Sequence, residues 1–348
     1  MMNIFKCIAI WAGVVAVLCS VLSCDSEPPT KPNEPKDYIV YSYLLNSAKN
    51  ILTYHTLTRA IDSFAIPIDP VYSLTASADG KLLYAGVGDS VAVVSLTTLT
   101  EIKRLPGARA IVSPDNRYVA LAGWPWYIFR TSDYSLVYHD TDYIDDGAFT
   151  RDGRHFYGVY SETYPGGGAI AHVTLGDSVS VERTSGLPLS YSRKRAALSP
   201  DEHVLYIVDE FRLLLWDMTT KQFDTVQVRG YGPESVVPTK DGQRVFLTKL
   251  SCMLAICSPE FSPYQALNVT SQTMFTAGNV SDICGRTGHY RFGPMVISPD
   301  GAVIVAIEEQ WNGGLGRDII RIDPDIPDST DILCLDRPKQ FLTCQVQK

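Results

Sequence analysis

Ile297-Ser298-Pro299-Asp300-Gly301 contains one of six copies of a short phrase, and the architecture follows from that phrase. The others are Ser77-Ala78-Asp79-Gly80, Ser113-Pro114-Asp115-Asn116, Thr150-Arg151-Asp152-Gly153, Ser199-Pro200-Asp201-Glu202 and Thr239-Lys240-Asp241-Gly242. Each stands between two apolar runs, such as Ala110-Ile111-Val112 and Tyr118-Val119-Ala120-Leu121. Proline presets φ, aspartate bonds back to its own backbone, and glycine or asparagine accepts positive φ. An apolar run, a tight turn and a second apolar run make a β-hairpin.

The turn aspartates lie 36, 37, 49, 40 and 59 residues apart. Around the first of them, residues 72–76, 82–85, 91–95 and 101–105 read as four short strands rich in β-branched and aromatic residues. Four strands recurring at that period are the pattern of β-propeller blades. Three more strands, at 38–44, 51–57 and 60–66, precede the first phrase. The expected fold is all-β, a seven-bladed β-propeller of four-stranded antiparallel blades. Residues 341–346 are expected to supply the innermost strand of the first blade, so that the two chain ends close the ring.

The first 37 residues stand outside this pattern. Lys6 precedes a 16-residue apolar run ending at Leu22, followed by Ser23 and Cys24. A basic residue, a short apolar core and small residues before a cut site read as a secretory signal over 1–23. Val21-Leu22-Ser23-Cys24 resembles the lipobox of bacterial lipoproteins. The resemblance implies cleavage before Cys24 and lipidation of its thiol; an uncleaved anchor or an ordinary signal peptide is the alternative. Residues 24–37 include Pro28, Pro29, Pro32 and Pro35 and read as an extended tether. The single folded domain is expected over 38–348. The expected location is a bacterial cell envelope, lipid-anchored to a membrane, periplasmic or surface-exposed.

The 348-residue chain carries 30 basic and 38 acidic side chains, a net charge of −8. Loss of residues 1–23 would remove Lys6 alone and leave −9. Nucleic-acid binding without sequence preference depends on basic patches that release counterions, so no nucleic-acid partner is expected.

The repeated Ser-Pro-Asp-Gly phrase, followed by an apolar strand, resembles the YVTN-type and related seven-bladed propellers of bacterial envelopes over about residues 38–346. Leu215-Trp216-Asp217 resembles the tryptophan-aspartate repeat once. Thr150 and Thr239 depart from the pattern at the serine, and Asn116 and Glu202 depart at the glycine. The resemblance implies a fold and is nearly silent about activity.

If the phrase joins the first two strands of a blade, the other connections gather at the opposite end, around the channel mouth. Arg109, Asp146, Arg195 and Glu234 each sit four or five residues before a turn Ser or Thr, which places them near that mouth. Trp124, Trp126, Tyr164 and Trp311 are expected on the same face. Charges beside aromatic groups suit a polar ligand or a partner peptide; alternatively the charges satisfy one another and the tryptophans pack between blades. Residues 161–168, 185–194 and 258–292 lengthen connections, where binding surfaces are commonly built.

No catalytic signature is recognisable: the sequence has no Gly-x-Ser-x-Gly elbow, phosphate loop, dinucleotide fingerprint or His-Glu-x-x-His pair. Cys252, Cys257 and Cys284 are candidates for a disulfide staple in an oxidising compartment. No Cys-x-x-Cys pair points to zinc, so neither a metal nor a cofactor is expected. The six histidines are scattered, and each reads as a turn or surface residue unless the fold brings two or three together. The expected function is a non-catalytic protein- or ligand-binding scaffold. The alternative is a propeller hydrolase or lactonase using Arg109, Asp146, Arg195, Glu234 and His289.

Overall fold

The computed structural model describes residues 39–45, 50–55, 58, 60–68, 71–161, 167–190, 193–228, 231–250, 264–276, 289–297, 303–311, 314–322, 330–335, 340–341 and 345–346. The chain divides into two units, Met1–Asp37 and Tyr38–Lys348, and only the second holds described residues. The copy of the turn phrase at 298–301, the cysteines at 24, 252, 257 and 284, and Tyr164 lie outside them.

Every regular element among the described residues is a β-strand, and the strands form seven antiparallel sheets in chain order. Sheet 1 contains β1 (Ile39–Leu45), β2 (Asn50–His55) and β3 (Ile61–Ala65). Sheet 2 contains β4 (Ser73–Ala76), β5 (Leu82–Val87), β6 (Ser90–Ser95) and β7 (Thr100–Pro106). Sheet 3 contains β8 (Arg109–Val112), β9 (Tyr118–Ala122), β10 (Trp126–Arg130) and β11 (Leu136–Asp140). Sheet 4 contains β12 (Ile144–Phe149), β13 (His155–Ser161), β14 (Gly168–Thr174) and β15 (Ser180–Leu187). Sheet 5 contains β16 (Arg195–Leu198), β17 (Val204–Val208), β18 (Arg212–Asp217) and β19 (Phe223–Gln227). Sheet 6 contains β20 (Tyr231–Pro238), β21 (Arg244–Leu250), β22 (Tyr264–Asn268) and β23 (Thr273–Thr276). Sheet 7 contains β24 (His289–Ile297), β25 (Val303–Trp311), β26 (Gly314–Ile322) and β27 (Thr330–Leu335). Finally β28 (Gln340–Phe341) and β29 (Gln345–Val346) return to pair antiparallel with β1, placing Leu44 opposite Phe341 and Val40 opposite Val346.

Each described turn phrase is held by one repeated hydrogen-bond set. The hydroxyl of Ser77, Ser113, Thr150, Ser199 or Thr239 donates to the aspartate two residues later at 2.5–2.7 Å. The same oxygen accepts from the backbone N–H five residues on at 2.9–3.1 Å. The fourth residue's N–H donates to the first residue's carbonyl at 2.9 Å. This explains the Ser/Thr exchange, because only the hydroxyl is used.

The fourth position is left-handed in every described copy, with φ of 66° at Gly80, 60° at Asn116, 64° at Gly153, 61° at Glu202 and 72° at Gly242. Where the residue is not glycine, its side chain reaches the neighbouring sheet. Asn116 Oδ1 accepts from the Ala78 N–H at 2.7 Å, and Glu202 accepts from the Arg151 N–H.

Burial follows strand position. The second strands β5, β9 and β17 are apolar and covered on both faces, whereas the outermost strands β7, β11, β15 and β19 are polar and mostly exposed. Core clusters lie between consecutive sheets, as with Ala120, Trp126 and Ile128 of sheet 3 against Ile144, Phe156 and Ala171 of sheet 4. A strand sandwiched on both faces needs a continuous apolar run, as buried parallel strands do, and not an alternating one.

The first strands of sheets 2 to 7 touch in succession: β4 lies against β8, β8 against β12, β12 against β16, β16 against β20 and β20 against β24. β24 lies against β29, which lies against β4. The turn phrases therefore share one end of the molecule, and the connections between second and third strands and between sheets share the other.

Candidate functional site

The innermost strands carry polar groups that bind one another across sheet boundaries. Ser73 and Thr75 of β4 donate to the Ala108 and Ala110 carbonyls at 3.2 and 2.7 Å. Ser235 of β20 accepts from the Met295 N–H of β24 at 2.9 Å. Between these pairs, Asp146 of β12 joins three sheets. Its Oδ1 accepts from the Arg109 guanidinium of β8 and from the Gly147 N–H at 2.7 Å. Its Oδ2 accepts from the Ala196 N–H of β16 at 3.3 Å. Three donors, two of them from neighbouring sheets, and a charge matched by Arg109 make this buried carboxylate a strut between sheets 3, 4 and 5.

A second buried network lies beside it. Lys194 is wholly buried, and its Nζ stands 3.3 Å from Asp145 Oδ2. Burial pushes the Lys194 ammonium down and the Asp145 carboxyl up, with each partner's charge opposing the shift. Asp209, also wholly buried, accepts from the Ser190, Phe211 and Arg212 N–H groups at 2.7–2.8 Å. Together Lys194 and Asp209 fasten the connection between sheets 4 and 5 to the strands on both sides.

The end opposite the turn phrases carries large exposed rings. Trp124 is 75% exposed, Tyr72 54%, Tyr143 50% and Phe211 49%. Trp124 and Phe211 lie on connections between second and third strands; Tyr72 and Tyr143 lie on connections between sheets. Each is tied through the backbone. The Tyr72 N–H donates to Gly86 O at 2.8 Å, and the Phe211 N–H to Asp209. Gly123 and Ile144 exchange N–H···O bonds at 3.2 Å, holding the neighbouring residues Trp124 and Tyr143 on adjoining loops. Beside them Arg183 pairs with Asp140 and, at 2.7 Å, with Asp142.

Of the residues singled out in the sequence, Arg109, Asp146 and Arg195 fall on three successive innermost strands, and Glu234 lies on the next one, β20. Trp124 stands in solvent, and Trp311 ends β25 at the same end of the fold. Trp126 does not join that face. It is 1% exposed and packs between Tyr138 of its own sheet and Phe156 of the next, with ring centroids 5.1 and 5.8 Å away. The reason is position: Trp126 opens a third strand covered on both faces, whereas Trp124 sits in the loop before it. His289 begins β24.

The sequence reading missed Tyr72, Tyr143 and Phe211, whose signal was an aromatic residue flanking a connection. It also missed the Lys194–Asp145 pair, whose members each stand five residues before a turn Ser or Thr in successive repeats. Among the described residues no group of three or more His, Cys, Asp or Glu side chains converges as a metal site.

No family model matches the chain, and no curated protein matches it in sequence. Solved structures do match it in shape. The Cps50 (Swd1) β-propeller domain of Myceliophteria thermophila aligns at 13% identity and a TM-score of 0.55, covering 86% of this chain and 89% of that one. A functionally unknown protein from Desulfotomaculum acetoxidans aligns at 9% identity and a TM-score of 0.61, covering 90% and 99%. Dihydro-heme d1 dehydrogenase NirN in complex with DHE aligns at 12% identity and a TM-score of 0.55, covering 90% and 77%. At such identities the likeness establishes the fold, an all-β propeller, and nothing about activity.

Proposed function

We propose that this chain is a lipid-anchored envelope β-propeller that binds a partner through the end bearing Tyr72, Trp124, Tyr143 and Phe211. In this reading the seven sheets are the blades of one ring, closed by β28 and β29 against β1. The observation that carries it is the concentration of exposed rings at one end, on loops held at or beside each ring by backbone hydrogen bonds. Clustered exposed apolar groups mark interaction sites, and aromatic rings are the usual anchors. Loop backbone already held by the scaffold loses little further freedom on binding. Arg109 and Asp146, which a hydrolase at the channel mouth would both use, pair with each other, and this favours the docking reading.

An aromatic photo-crosslinking residue, benzoylphenylalanine, placed at Trp124 so that a ring is kept there, in the full-length protein on its native membranes, tests the reading. One discrete crosslinked partner is expected, lost when Tyr143 and Phe211 are both replaced by alanine. The same probe at Asp177, in the exposed turn after β14, is expected to capture nothing. Equal capture from both positions, or none from Trp124, refutes the docking face. Loss of membrane attachment in Cys24→Ser tests the anchor separately.

A further inference from the structure

The fold brings together two histidines that are seventeen residues apart in the chain. His155 opens β13 and His172 lies on β14, where Tyr157 is opposite His172 and Thr174 opposite His155. The two histidines are thus diagonal neighbours on one face of sheet 4. His172 Nε2 stands 3.0 Å from His155 Nδ1, and Thr174 Oγ1 stands 3.3 Å from that same Nδ1. On the far side of the His172 ring, Nδ1 faces Glu182 Oε2 of β15 at 3.6 Å. Tyr157 stacks on His172 with centroids 4.5 Å apart and an interplanar angle of 12°.

We infer that His155 and His172 form a binding site for a late first-row divalent cation, with copper(II) bound most tightly. Three observations converge on this. First, two nitrogens bound to one cation at about 2.0–2.1 Å, at angles near 95–110°, lie roughly 3.0–3.4 Å apart. The observed 3.0 Å separation is that of a hydrogen bond between the rings and lies at the short edge of that range, so a cation would take the place of the shared proton. Second, a ligating imidazole usually turns its other nitrogen to a carboxylate, which fixes the ring and raises its basicity; Glu182 stands in that position behind His172. Third, both rings are only partly buried, so an ion and its waters have access.

Two imidazoles with one hydroxyl nearby are a smaller set than a resident structural site uses. Water therefore completes the coordination, and the ion exchanges. Imidazole donors and the Irving–Williams order place copper(II) above zinc and nickel at such a site. The imidazole must be neutral to bind.

The groups facing the pair come from two sheets. Glu182 and Tyr157 belong to sheet 4, while Lys221, from the turn after β18, lies 3.8 Å from Glu182 and reaches across from sheet 5. Lys221 also sits over the Trp216 ring at 4.8 Å. A cation here would lie where sheets 4 and 5 meet, near the turn-phrase end and remote from the aromatic end.

The test titrates copper(II) chloride into metal-stripped full-length protein, reading stoichiometry calorimetrically and nitrogen coordination by electron paramagnetic resonance. Cysteines blocked by alkylation keep thiols out of the count. One equivalent of nitrogen-coordinated copper is expected, weakened at least tenfold in His155→Ala and in His172→Ala. Glu182→Gln leaves both ligands and is expected to weaken binding about tenfold, which separates a metal site from general loss of folding. Absence of stoichiometric binding overturns the inference. So does nitrogen-coordinated copper that persists unchanged in both histidine variants, because it then sits elsewhere.

Discussion

Lys194 Nζ lies 3.3 Å from Asp145 Oδ2, and the pair is buried at the joint between sheets 4 and 5. Removing one partner leaves the other charge buried with less of its compensation. Lys194→Met is therefore expected to cost about 3–5 kcal/mol, whereas Lys194→Met with Asp145→Leu is expected to be neutral or stabilising. Urea denaturation of the three proteins reads this directly.

The same pair has a pH signature. Asp145 is raised in the folded state, so its contribution to stability falls as pH climbs from the unfolded carboxyl value of about 3.9 through the raised one. Lys194 is lowered, so its contribution rises as pH climbs from the lowered value to the unfolded lysine value of about 10.4. The advantage of the double variant over the parent should accordingly peak at intermediate pH and shrink toward both ends. A melting-temperature difference that is flat between these limits would contradict the assignment.

The turn aspartates predict the acid limb. The Thr150, Ser199 and Thr239 hydroxyls hold Asp152, Asp201 and Asp241 below the usual carboxylate range, helped by backbone amides. At Asp79 and Asp115 burial opposes the shift, and the hydrogen bonds outweigh it. Lowered carboxylates give stability that is complete above the unfolded value of about 3.9 and lost as pH falls through the folded value. Ser199→Ala should cost about 1 kcal/mol at neutral pH. It should also move the Asp201 titration, followed by NMR, back toward the unfolded value.

Gly153 and Gly242 occupy the same turn position, yet alanine should be tolerated differently. Both are left-handed, which costs a side chain roughly 1–2 kcal/mol. A Cβ at Gly153 would also come within 2.4 Å of the Asp115 carboxylate, while at Gly242 the nearest atom is Pro200 Cδ at 3.7 Å. Gly153→Ala should be the more damaging. At Asn116, alanine should cost more than glycine, since both lose the bond to Ala78 but glycine relieves the backbone.

These cases show which features were legible in the sequence. The turn phrase could be read because its hydroxyl, carboxylate and left-handed residue all act within six residues. β28 and β29 could be anticipated because sheet 1 lacked a strand. Lys194–Asp145 and His155–His172 could not, since their partners meet only through sheet packing and strand register; the 49-residue separation of the first pair is the repeat spacing there, which aligns the two positions without saying that their side chains pair. Asn116 and Glu202 looked like defects in a repeat, whereas both side chains bridge to a neighbouring sheet. Trp124 and Trp126, two residues apart, differ in fate because one precedes a strand and the other opens it.

That last contrast separates the binding face from the core. Trp124 is three-quarters exposed, so Trp124→Ala should change stability by no more than about 0.5 kcal/mol. Trp126 fills space between sheets 3 and 4, and Trp126→Ala should cost roughly 3–5 kcal/mol through the cavity it leaves. If the aromatic end docks a partner, Trp124→Ala loses binding while its unfolding curve overlays that of the parent. Trp126→Phe, which keeps an aromatic core, should retain binding despite lower stability. Binding lost only in proportion to stability, across all three variants, would assign Trp124 to the scaffold and leave the docking face without its central ring.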